Sequence, residues 1–206
     1  MRESSLFLGA VAILAAGGVA AWLYMGQTSE TQVEIADGDT PGPNLLIEVA
    51  GSTEGTIVVD LLPNVAPNHV EQMTALAEEG AYNGVVFHRV IDGFMAQTGD
   101  VEHGKVDGDI SAAGTGASDR PNIDAEFSNV PFRRGTVGMA RSASPNSANS
   151  QFFIMFDEAP HLNGEYTVVG RVIEGMDVVD AIKKGDSARN GGVDAPDHMA
   201  EVTVAR

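Results

Sequence analysis

The stretch VVFHRVIDGFMAQTGD, residues 85–100, contains both a strand pattern and the most unusual charge placement in the chain. Its first half is an apolar, β-branched run typical of a strand, and a turn that contains Asp92 follows it. Arg89 lies inside the apolar run, close in sequence to the large side chains of Phe94 and Met95. A guanidinium is permanently charged and is costly to bury without a partner. Since Asp92 is the one acid beside it in this stretch, Arg89 is the first candidate for a functional residue.

Length, charge and cysteine content limit the class of protein. The chain has 206 residues, of which 43% are hydrophobic, and this suits one globular domain with appended segments. Its formal net charge of −17 would repel phosphate backbones, which argues against nucleic-acid binding through a basic patch. The absence of cysteine excludes disulfides, thiolate metal sites and a cysteine nucleophile. The acidic surface is typical of a highly soluble protein.

The N-terminal segment is chemically distinct from the rest. Residues 6–25, LFLGAVAILAAGGVAAWLYM, carry no charged side chain. As a helix at about 1.5 Å per residue they would span roughly 30 Å, one hydrocarbon core. We therefore predict that residues 1–25 are a membrane anchor, with the N-terminus in the cytoplasm. The alternative is a cleaved signal peptide, for which Val19-Ala20-Ala21 offers small residues at the cleavage site, and both alternatives export the rest of the chain.

The segment after the apolar run predicts a tether followed by one domain. Residues 26–44 are polar, acidic and interrupted by Pro and Gly, which predicts a flexible linker. Residues 45–206 are mainly β in pattern. Short β-branched and aromatic runs predict strands at LLIEVA (45–50), TIVVDLL (56–62), VVFHRV (85–90), GTVGMA (135–140), SQFFIMF (150–156), YTVVGRV (166–172) and AEVTVAR (200–206).

Two helices complete the predicted domain. Helical spacing of apolar residues predicts one from Pro67 to Gly80 and another from Glu174 to Gly185. Many short strands with two helices favour a mostly antiparallel sheet that closes into a barrel or sandwich, with the helices covering its ends. Residues 101–124 are rich in Gly and Asp, lack periodicity and predict a surface loop.

The polar residues give little support for metal-assisted or hydrolytic chemistry. The five histidines are scattered, and no pair has the i, i+4 spacing of a helical metal site. The serine-rich loop 142–150 lacks a nucleophile elbow. We therefore expect neither a metal nor a cofactor. An arginine, several apolar side chains and some amides remain, among them Gln151 and Phe153, which share one face of a predicted strand.

Three blocks of the sequence resemble the signature blocks of the cyclophilin-type peptidyl-prolyl cis-trans isomerases: FHRVIDGFMAQTGD (87–100), GTVGMARSASPNSANSQFFIMF (135–156) and HLNGEYTVVGRVIEGMDVVDAI (161–182). They follow the family's order within residues 45–206, and their pattern is similar to the bacterial branch. The resemblance implies a mainly β fold, a closed eight-stranded antiparallel barrel capped by two α-helices. Together with the predicted anchor or signal peptide, the similarity to the bacterial branch predicts a bacterial envelope protein, anchored in the inner membrane facing the periplasm, or periplasmic if the N-terminus is cleaved.

The resemblance further implies the residues of the active site. The catalytic residue would be Arg89. The substrate-binding residues, which form the proline pocket, its rim or the peptide anchor, would be Phe94, Met95, Gln97, Ala140, Arg141, Gln151, Phe153, His161, Leu162 and Tyr166. Arg141 stands where the family often has asparagine, and Ala117 replaces a glycine of the family's GTGG stretch. His161 replaces the tryptophan of cyclosporin-sensitive members, which implies weak cyclosporin binding.

The reaction suits these residue types. Rotation about an X-Pro bond breaks amide resonance but no covalent bond, so it needs neither a nucleophile nor a metal. A guanidinium can donate hydrogen bonds to the twisted amide, and an apolar pocket can hold the proline ring. The expected partners are proline-containing segments of folding proteins, together with a membrane bound through residues 6–25. We expect a monomer. The alternative function is a chaperone-like module that binds proline-containing segments with little turnover.

Overall fold

The computed structural model describes residues 38–206, which belong to the second of two compact units of the chain, Gln32–Arg206. The predicted anchor, residues 1–25, and the first part of the predicted linker lie outside the described residues. Within residues 38–206, no helix combines the length and the apolar character needed to cross a membrane.

The described residues contain nine β-strands in one sheet and two α-helices. The strands are β1 (Asn44–Ala50), β2 (Gly55–Leu61), β3 (Val85–Val86), β4 (Arg89–Ile91), β5 (Met95–Thr98), β6 (Thr136–Met139), β7 (Phe152–Met155), β8 (Val168–Glu174) and β9 (His198–Ala205). The helices are α1 (Pro67–Glu78) and α2 (Met176–Ala181). Neighbouring strands are antiparallel in the order β3-β9-β1-β2-β8-β6-β7-β5-β4.

The sheet is strongly curled, because its two edge strands are consecutive in the chain. Only Phe87 and His88 separate β3 from β4. At this junction the backbone bonds to segments outside the strand ladder. The Phe87 N–H donates to the carbonyl of Asp197 at 2.9 Å, and the His88 carbonyl accepts from the Val193 N–H at 3.2 Å. The chain therefore passes from one edge of the sheet to the other within a single extended segment.

The strand count differs from the predicted closed eight-stranded barrel for two local reasons. The predicted strand 85–90 is divided into β3 and β4 by the junction that contains Phe87 and His88. Residues Met95–Thr98 form β5, which the hydrophobic pattern did not predict because Met, Ala and Gln are weak strand formers. Pairing with β4 on one side and β7 on the other holds β5 in the sheet.

Helix α1 agrees with the predicted helix from Pro67 to Gly80. Proline occupies its first turn, where a missing N–H costs nothing. At the other end Gly80 has a left-handed φ of 68° and donates its N–H to the Ala77 carbonyl at 2.9 Å. The Ala81 N–H donates to the Leu76 carbonyl at 2.8 Å, which completes a Schellman motif and satisfies the last carbonyls of the helix.

Helix α2 ends at Ala181, so it is shorter than the predicted helix, which extends to Gly185. The chain leaves the helix because two groups outside it bind the following backbone. The carboxylate of Asp197 accepts the Lys183 N–H at 2.9 Å, and the Val90 carbonyl accepts the Gly185 N–H at 2.9 Å. These bonds carry the segment after α2 to the edge of β4.

The two faces of the sheet carry separate hydrophobic clusters. Alternate residues of a strand project to opposite faces. Ala96 and Ile154 belong to the interior cluster, which also includes the buried face of α1. Met95, Phe153 and Met155 belong to a second cluster on the other face of the same strands. The second cluster is the apolar part of the candidate site.

The last part of the predicted linker is bonded to the sheet. Thr40 Oγ1 donates to both carboxylate oxygens of Asp60 at 3.0 Å, and Arg171 donates to the carbonyl of Gly38. Asp60 is fully buried, and this burial raises its pKa against the opposing effects of Thr40 and Arg171. Residues 38–43 therefore follow the surface of β2 and β8 before β1 begins.

The packing of α1 can be tested at Met73, which is fully buried in the interior cluster. Met73→Ala should lower the free energy of unfolding by about 3 kcal/mol, because it removes buried apolar surface and leaves a cavity. Glu71→Ala, on the exposed side of the same helix, is the control and should change it by less than about 0.5 kcal/mol. Urea unfolding followed by circular dichroism measures both, and equal effects would contradict the described packing.

Candidate active site

The site is built on a row of residues that crosses neighbouring strands. Arg89 on β4 is paired with Gln97 on β5, Gln97 with Phe153 on β7, and Phe153 with Gly138 on β6. Residues directly opposite each other in antiparallel strands project to the same face. The row therefore brings a cation, an amide and an aromatic ring together on the outer face of the curled sheet.

A second row, next to the first, supplies an apolar wall. Ile91, Met95 and Met155 are paired across β4, β5 and β7. They lie two positions from Arg89, Gln97 and Phe153 along the strands, so they project to the same face. Met95 is only 2% exposed and lies within the outer hydrophobic cluster.

The turn between β4 and β5 places one aromatic side of the pocket. Asp92 is exposed in this turn, and Gly93 follows it with a left-handed φ of 69°. The Phe94 N–H donates to the Ile91 carbonyl at 3.0 Å and closes the turn. The ring of Phe94 then stacks on His161, with centroids 5.7 Å apart and an interplanar angle of 29°. Asp92 is thus a turn residue, as its position before glycine predicts.

A cavity of about 470 Å³ opens between these elements. All of the predicted catalytic and substrate-binding residues line it except Gln151, and Glu165 lines it in addition. Its lining comprises Arg89, Phe94, Met95, Gln97, Ala140, Arg141, Phe153, His161, Leu162, Glu165 and Tyr166. The residues come from three strands, the β4–β5 turn, the segment that follows β6, and the short 3₁₀ helix Pro160–Leu162 with the loop after it.

The floor of the cavity is rigid because of aromatic packing over a glycine. Phe153 and Phe132 stack with centroids 5.7 Å apart. A Cβ atom at Gly138 would lie 2.6 Å from the rings of both phenylalanines, so only glycine fits below them. Leu162 is 7% exposed and packs in the same cluster.

The rim of the cavity is held by Arg141, which folds over Tyr166. The guanidinium carbon lies 4.5 Å from the centre of the tyrosine ring, a cation–π arrangement. Arg141 Nε and Nη2 donate to the Glu165 carbonyl at 3.1 and 2.9 Å, and Nη1 donates to the Ser142 carbonyl at 3.0 Å. The edge of the Tyr166 ring in turn meets Phe153, with centroids 5.8 Å apart and rings at 84°. The Arg141 side chain therefore supports the rim of the pocket.

Arg89 is held by uncharged acceptors. Its Nη1 donates to Gln97 Oε1 at 3.3 Å, Nε donates to the Asn190 carbonyl at 3.1 Å, and Nη2 donates to Asn190 Oδ1 at 3.2 Å. None of the ion pairs found within residues 38–206 includes Arg89. Burial lowers the pKa of Arg89, with Tyr166 acting in the opposite sense, but guanidinium stays protonated in proteins. Its positive charge is consequently not cancelled by a carboxylate.

A chain of side-chain hydrogen bonds extends from Arg89 across the site. Gln97 Nε2 donates to Gln151 Oε1 at 3.0 Å, and Gln151 Nε2 donates to the Gly116 carbonyl at 2.9 Å. Arginine can only donate and a carbonyl can only accept, so the two ends determine how both amides are oriented. Gln97 and Gln151 thus couple the cation to the loop that contains Gly116.

A second cavity, of about 330 Å³, adjoins the first and shares Gln97, Ala140 and Arg141 with it. Gln151 lines this second cavity together with the GTGA stretch, residues 114–117. The predicted peptide-anchoring residues are therefore divided between two adjacent cavities, with Arg141 at the boundary between them.

The buried carboxylate of Asp100 fixes the loop around the second cavity. Its Oδ2 accepts the N–H groups of Gly114 at 2.7 Å and Gly116 at 2.9 Å. Its Oδ1 accepts those of Glu102 at 3.2 Å and His103 at 2.8 Å. Burial raises the pKa of Asp100, but these four donors outweigh that effect and lower it overall.

His88, next to Arg89, is a half-buried, neutral ring whose two nitrogens are inaccessible to solvent. Among the described residues neither of its ring nitrogens has a hydrogen-bond partner. Burial lowers its pKa to about 4, although the nearby Asp100 acts in the opposite direction. The ring lies against the GTGA stretch, since a Cβ atom at Gly114 would be 3.0 Å from it.

Sequence reasoning did not identify Asn190, which makes two of the hydrogen bonds to Arg89. The pair Asn190-Gly191 is a signal for a left-handed turn. Nothing in the local pattern connects it with Arg89, which is 101 residues away in the chain. Only the folded arrangement of the segment after α2 brings the two together.

Comparison with known proteins identifies the family. The model of the family described as cyclophilin type peptidyl-prolyl cis-trans isomerase/CLD matches residues 45–204. A protein of Brucella suis biovar 1 (strain 1330), named a probable peptidyl-prolyl cis-trans isomerase, is 55% identical over 174 residues, which cover 84% of this chain and 87% of the relative. The chain belongs to the cyclophilin-type peptidyl-prolyl cis-trans isomerase family, which confirms the resemblance found in the sequence.

Solved structures agree with this assignment. Cyclophilin AquaCyp293 from Hirschia baltica superimposes with a TM-score of 0.66 at 27% identity, over 80% of this chain and 74% of that chain. A cyclophilin type isomerase from Cryptosporidium parvum, crystallised in the presence of the dipeptide Ala-Pro, gives a TM-score of 0.66 at 25% identity, over 79% of this chain and 99% of that chain. The fold is thus cyclophilin-like, with a curled sheet and two helices.

The neutral state of His88 predicts acid sensitivity of the fold. Because its pKa is lowered to about 4, the stability that it contributes is present above the ordinary histidine pKa near 6.5 and is lost as pH falls towards 4. The free energy of unfolding should fall by at most about 3 kcal/mol over this range. His88→Gln should flatten the dependence, as measured by urea unfolding at several pH values between about 5.5 and 8, where nearly all carboxylates are ionised. Identical slopes in the wild type and the variant would contradict this assignment.

Proposed function

We propose that the protein catalyses rotation about X-Pro peptide bonds by stabilising the twisted amide through Arg89. The observation that carries this proposal is an apolar cavity beside a guanidinium whose hydrogen-bond partners, Gln97 and Asn190, are uncharged. A cation that no carboxylate neutralises can act fully on a substrate. Membership of the isomerase family supports the reaction.

The cavity has the properties of a proline pocket. Met95, Phe153 and Leu162 are nearly buried and provide apolar contacts, and the rigid floor below Phe153 keeps the ring position fixed. Phe94 and Tyr166 close the sides. Holding the proline ring while the preceding residue turns is what rotation about the bond requires. The related Cryptosporidium parvum structure with Ala-Pro supports a proline-containing peptide as the ligand.

The chemistry follows from amide resonance. In the planar state the lone pair of the prolyl nitrogen is delocalised, and the barrier to rotation is about 18–20 kcal/mol. Twisting the bond localises that lone pair, so the nitrogen becomes an acceptor only near the transition state. Arg89 can then donate to the nitrogen and to the proline carbonyl through the N–H groups that Gln97 and Asn190 do not use. A hydrogen bond that strengthens only on twisting lowers the barrier without tightening ground-state binding.

The surroundings of Arg89 make this contribution larger than it would be in water. The guanidinium is partly buried against Met95, whose Sδ lies 3.7 Å from Nη1. A lower local dielectric strengthens the interaction of the charge with the substrate. The donors are already oriented by Gln97 and Asn190, so little reorganisation is needed as the bond twists.

We further propose that the enzyme acts outside the cytoplasm of a bacterium. The support comes from the apolar segment 6–25 of the sequence and from the bacterial relative in Brucella suis. In this proposal residues 1–25 anchor the chain in the inner membrane, residues 26–44 form a tether, and residues 45–206 face the periplasm as the isomerase domain. Cleavage near Ala21 would instead give a periplasmic protein. The substrates would be X-Pro bonds of folding envelope proteins.

Replacing Arg89 tests the mechanism. Arg89→Ala should lower kcat/KM for X-Pro isomerisation at least tenfold, about 1.4 kcal/mol of transition-state stabilisation, without unfolding the domain. Arg89→Lys keeps the charge but not the forked donors, so its activity should lie between those of the wild type and the alanine variant. A protease-coupled assay on a short X-Pro peptide measures the rates, and circular dichroism verifies folding.

Arg133→Ala is the matched control, since it removes one exposed positive charge that is not part of the described pocket lining. It should leave kcat/KM within about twofold of the wild type. A well-folded Arg89→Ala variant with wild-type activity would overturn the mechanism. Wild-type protein that binds an X-Pro peptide but does not accelerate exchange would favour the chaperone-like alternative.

Expression of the full chain in a bacterium tests the proposed localisation. The protein should sediment with membranes and retain the mass of all 206 residues. Leu14→Arg should reduce insertion, because an arginine at the centre of a spanning helix costs about 2.5–3.5 kcal/mol, whereas Ser5→Arg, outside the apolar run, should not. A periplasmic product shortened near Ala21 would identify a signal peptide, and a full-length cytosolic product would contradict export.

A further inference from the structure

Asn190 is joined to Arg89 through two different oxygen atoms. Its backbone carbonyl accepts from Nε at 3.1 Å, and its Oδ1 accepts from Nη2 at 3.2 Å. We propose that Asn190 is a positioning residue, which orients the Arg89 guanidinium towards the substrate while leaving its charge intact. This inference rests on the proposed function of Arg89.

The backbone conformation of Asn190 makes this double contact feasible. It follows the short 3₁₀ helix Ser187–Arg189 and has φ 53° and ψ 35°, in the left-handed region. L-residues other than Asn and Asp adopt this region at a cost, and glycine adopts it freely. The position therefore demands a left-handed residue, and the contact with Nη2 demands a side-chain acceptor. Asparagine meets both requirements without adding a charge.

The segment that carries Asn190 is attached to the strand that carries Arg89. The Gly191 carbonyl accepts the Val90 N–H at 2.8 Å, and the Val90 carbonyl accepts the Gly185 N–H at 2.9 Å. A Cβ atom at Gly191 would lie 2.5 Å from the Ile91 side chain, so the segment lies directly against β4. Asn190 and Arg89 consequently share one rigid frame, and a small shift of β4 would move both.

The segment is also braced within itself. Asp186 Oδ1 accepts the Ala188 N–H at 2.8 Å, which caps the short 3₁₀ helix. Arg189 forms ion pairs with Asp186 and Asp194, at 3.3 and 2.6 Å. These exposed ion pairs contribute little to stability individually, but they restrict the loop at the residue that precedes Asn190.

The division of donors on Arg89 explains why two supports are useful. Gln97 holds Nη1, and Asn190 holds Nε and Nη2. A guanidinium has five N–H donors, so one on Nη2 stays available for a substrate, and one on Nη1 faces only the weak acceptor Met95 Sδ, at 3.7 Å. Without Oδ1 of Asn190, Nη2 would lose its acceptor, and its N–H groups would no longer be held in a fixed direction.

Two substitutions separate orientation from charge. Asn190→Gly keeps the left-handed backbone and the carbonyl acceptor but removes Oδ1. Asn190→Asp keeps the shape and both acceptors but places a carboxylate on the guanidinium. Asn190→Gly should lower kcat roughly three- to tenfold with KM changed by less than about twofold, the size expected for one hydrogen bond at an exposed position. Asn190→Asp should also lower kcat, because the carboxylate offsets the charge that acts on the twisted amide.

Nitrogen-15 NMR of the Arg89 side chain measures the mobility of its guanidinium, which a merely structural role of Asn190 would not change. In the wild type and in Asn190→Asp, rotation about the Nε–Cζ bond should be slow, because Nη2 is bound. In Asn190→Gly it should be faster. Ser187→Ala, in the same exposed turn but without a described side-chain contact to Arg89, is the control and should change neither kcat nor the Arg89 signal.

The Arg89→Ala background distinguishes the failure of this inference from the failure of the proposed function. If Arg89→Ala lowers kcat/KM as predicted and Asn190→Gly has no further effect on the residual activity of that variant, Asn190 acts through Arg89. Wild-type kcat in Asn190→Gly, or a lowered kcat with an unchanged Arg89 signal, would overturn the positioning role while leaving the function of Arg89 in place. Full activity of Arg89→Ala would instead overturn the proposed mechanism itself.

Discussion

The register between β4, β5 and β7 is the constraint on which the site depends. It places Arg89, Gln97 and Phe153 in one row on the outer face of the sheet. Side chains alternate between the faces of a strand, so a slip of one residue would turn Arg89 into the interior cluster and expose Val90. A charged residue in that cluster would be strongly unfavourable. The hydrophobic core therefore maintains the register, and the register maintains the alignment of the cation with the apolar pocket.

The fold supports the charge of Arg89 without cancelling it, as the proposed mechanism requires. In a chain with a net charge of −17, a carboxylate partner would be easy to supply. The described site uses the amides of Gln97 and Asn190 instead. The second arginine of the groove, Arg141, is different, because carbonyl groups and the Tyr166 ring occupy its guanidinium. In the proposed mechanism the two arginines therefore differ: Arg89 acts on the substrate, and Arg141 supports the pocket rim.

Most of the fold could be predicted from periodicity and turn chemistry. Helix α1 has a proline start, a regular apolar stripe and a glycine stop, so local signals and tertiary packing agree. The predicted end of α2 lies too far along the chain, because hydrogen bonds to the distant acceptors Asp197 and Val90 draw the chain away from the helix. Strand β5 was missed since its residues favour a strand only when β4 and β7 hold them on both sides. In both α2 and β5, a long-range contact overrides a local preference.

Part of the candidate site could also be predicted from the sequence, where its residues are close together in the chain. Phe94, Met95 and Gln97 follow Arg89 closely in sequence, so one hairpin brings them together, and the family resemblance supplied the remaining pocket residues. Asn190 carries only the signal of a turn.

The proposed role of Asn190 depends on how the chain returns to β4 after α2. Backbone hydrogen bonds decide this path, and no side-chain pattern in the sequence indicates them. The GTGA stretch reaches Arg89 in a comparable way, through Gln151 and Gln97, and the buried Asp100 holds it in place. Arg89 is thus supported from two sides by loops that the hydrophobic pattern leaves undefined. Since preorganised dipoles act on a transition state only when they are already oriented, the proposed mechanism depends on these loops as well as on the strands that carry the site residues.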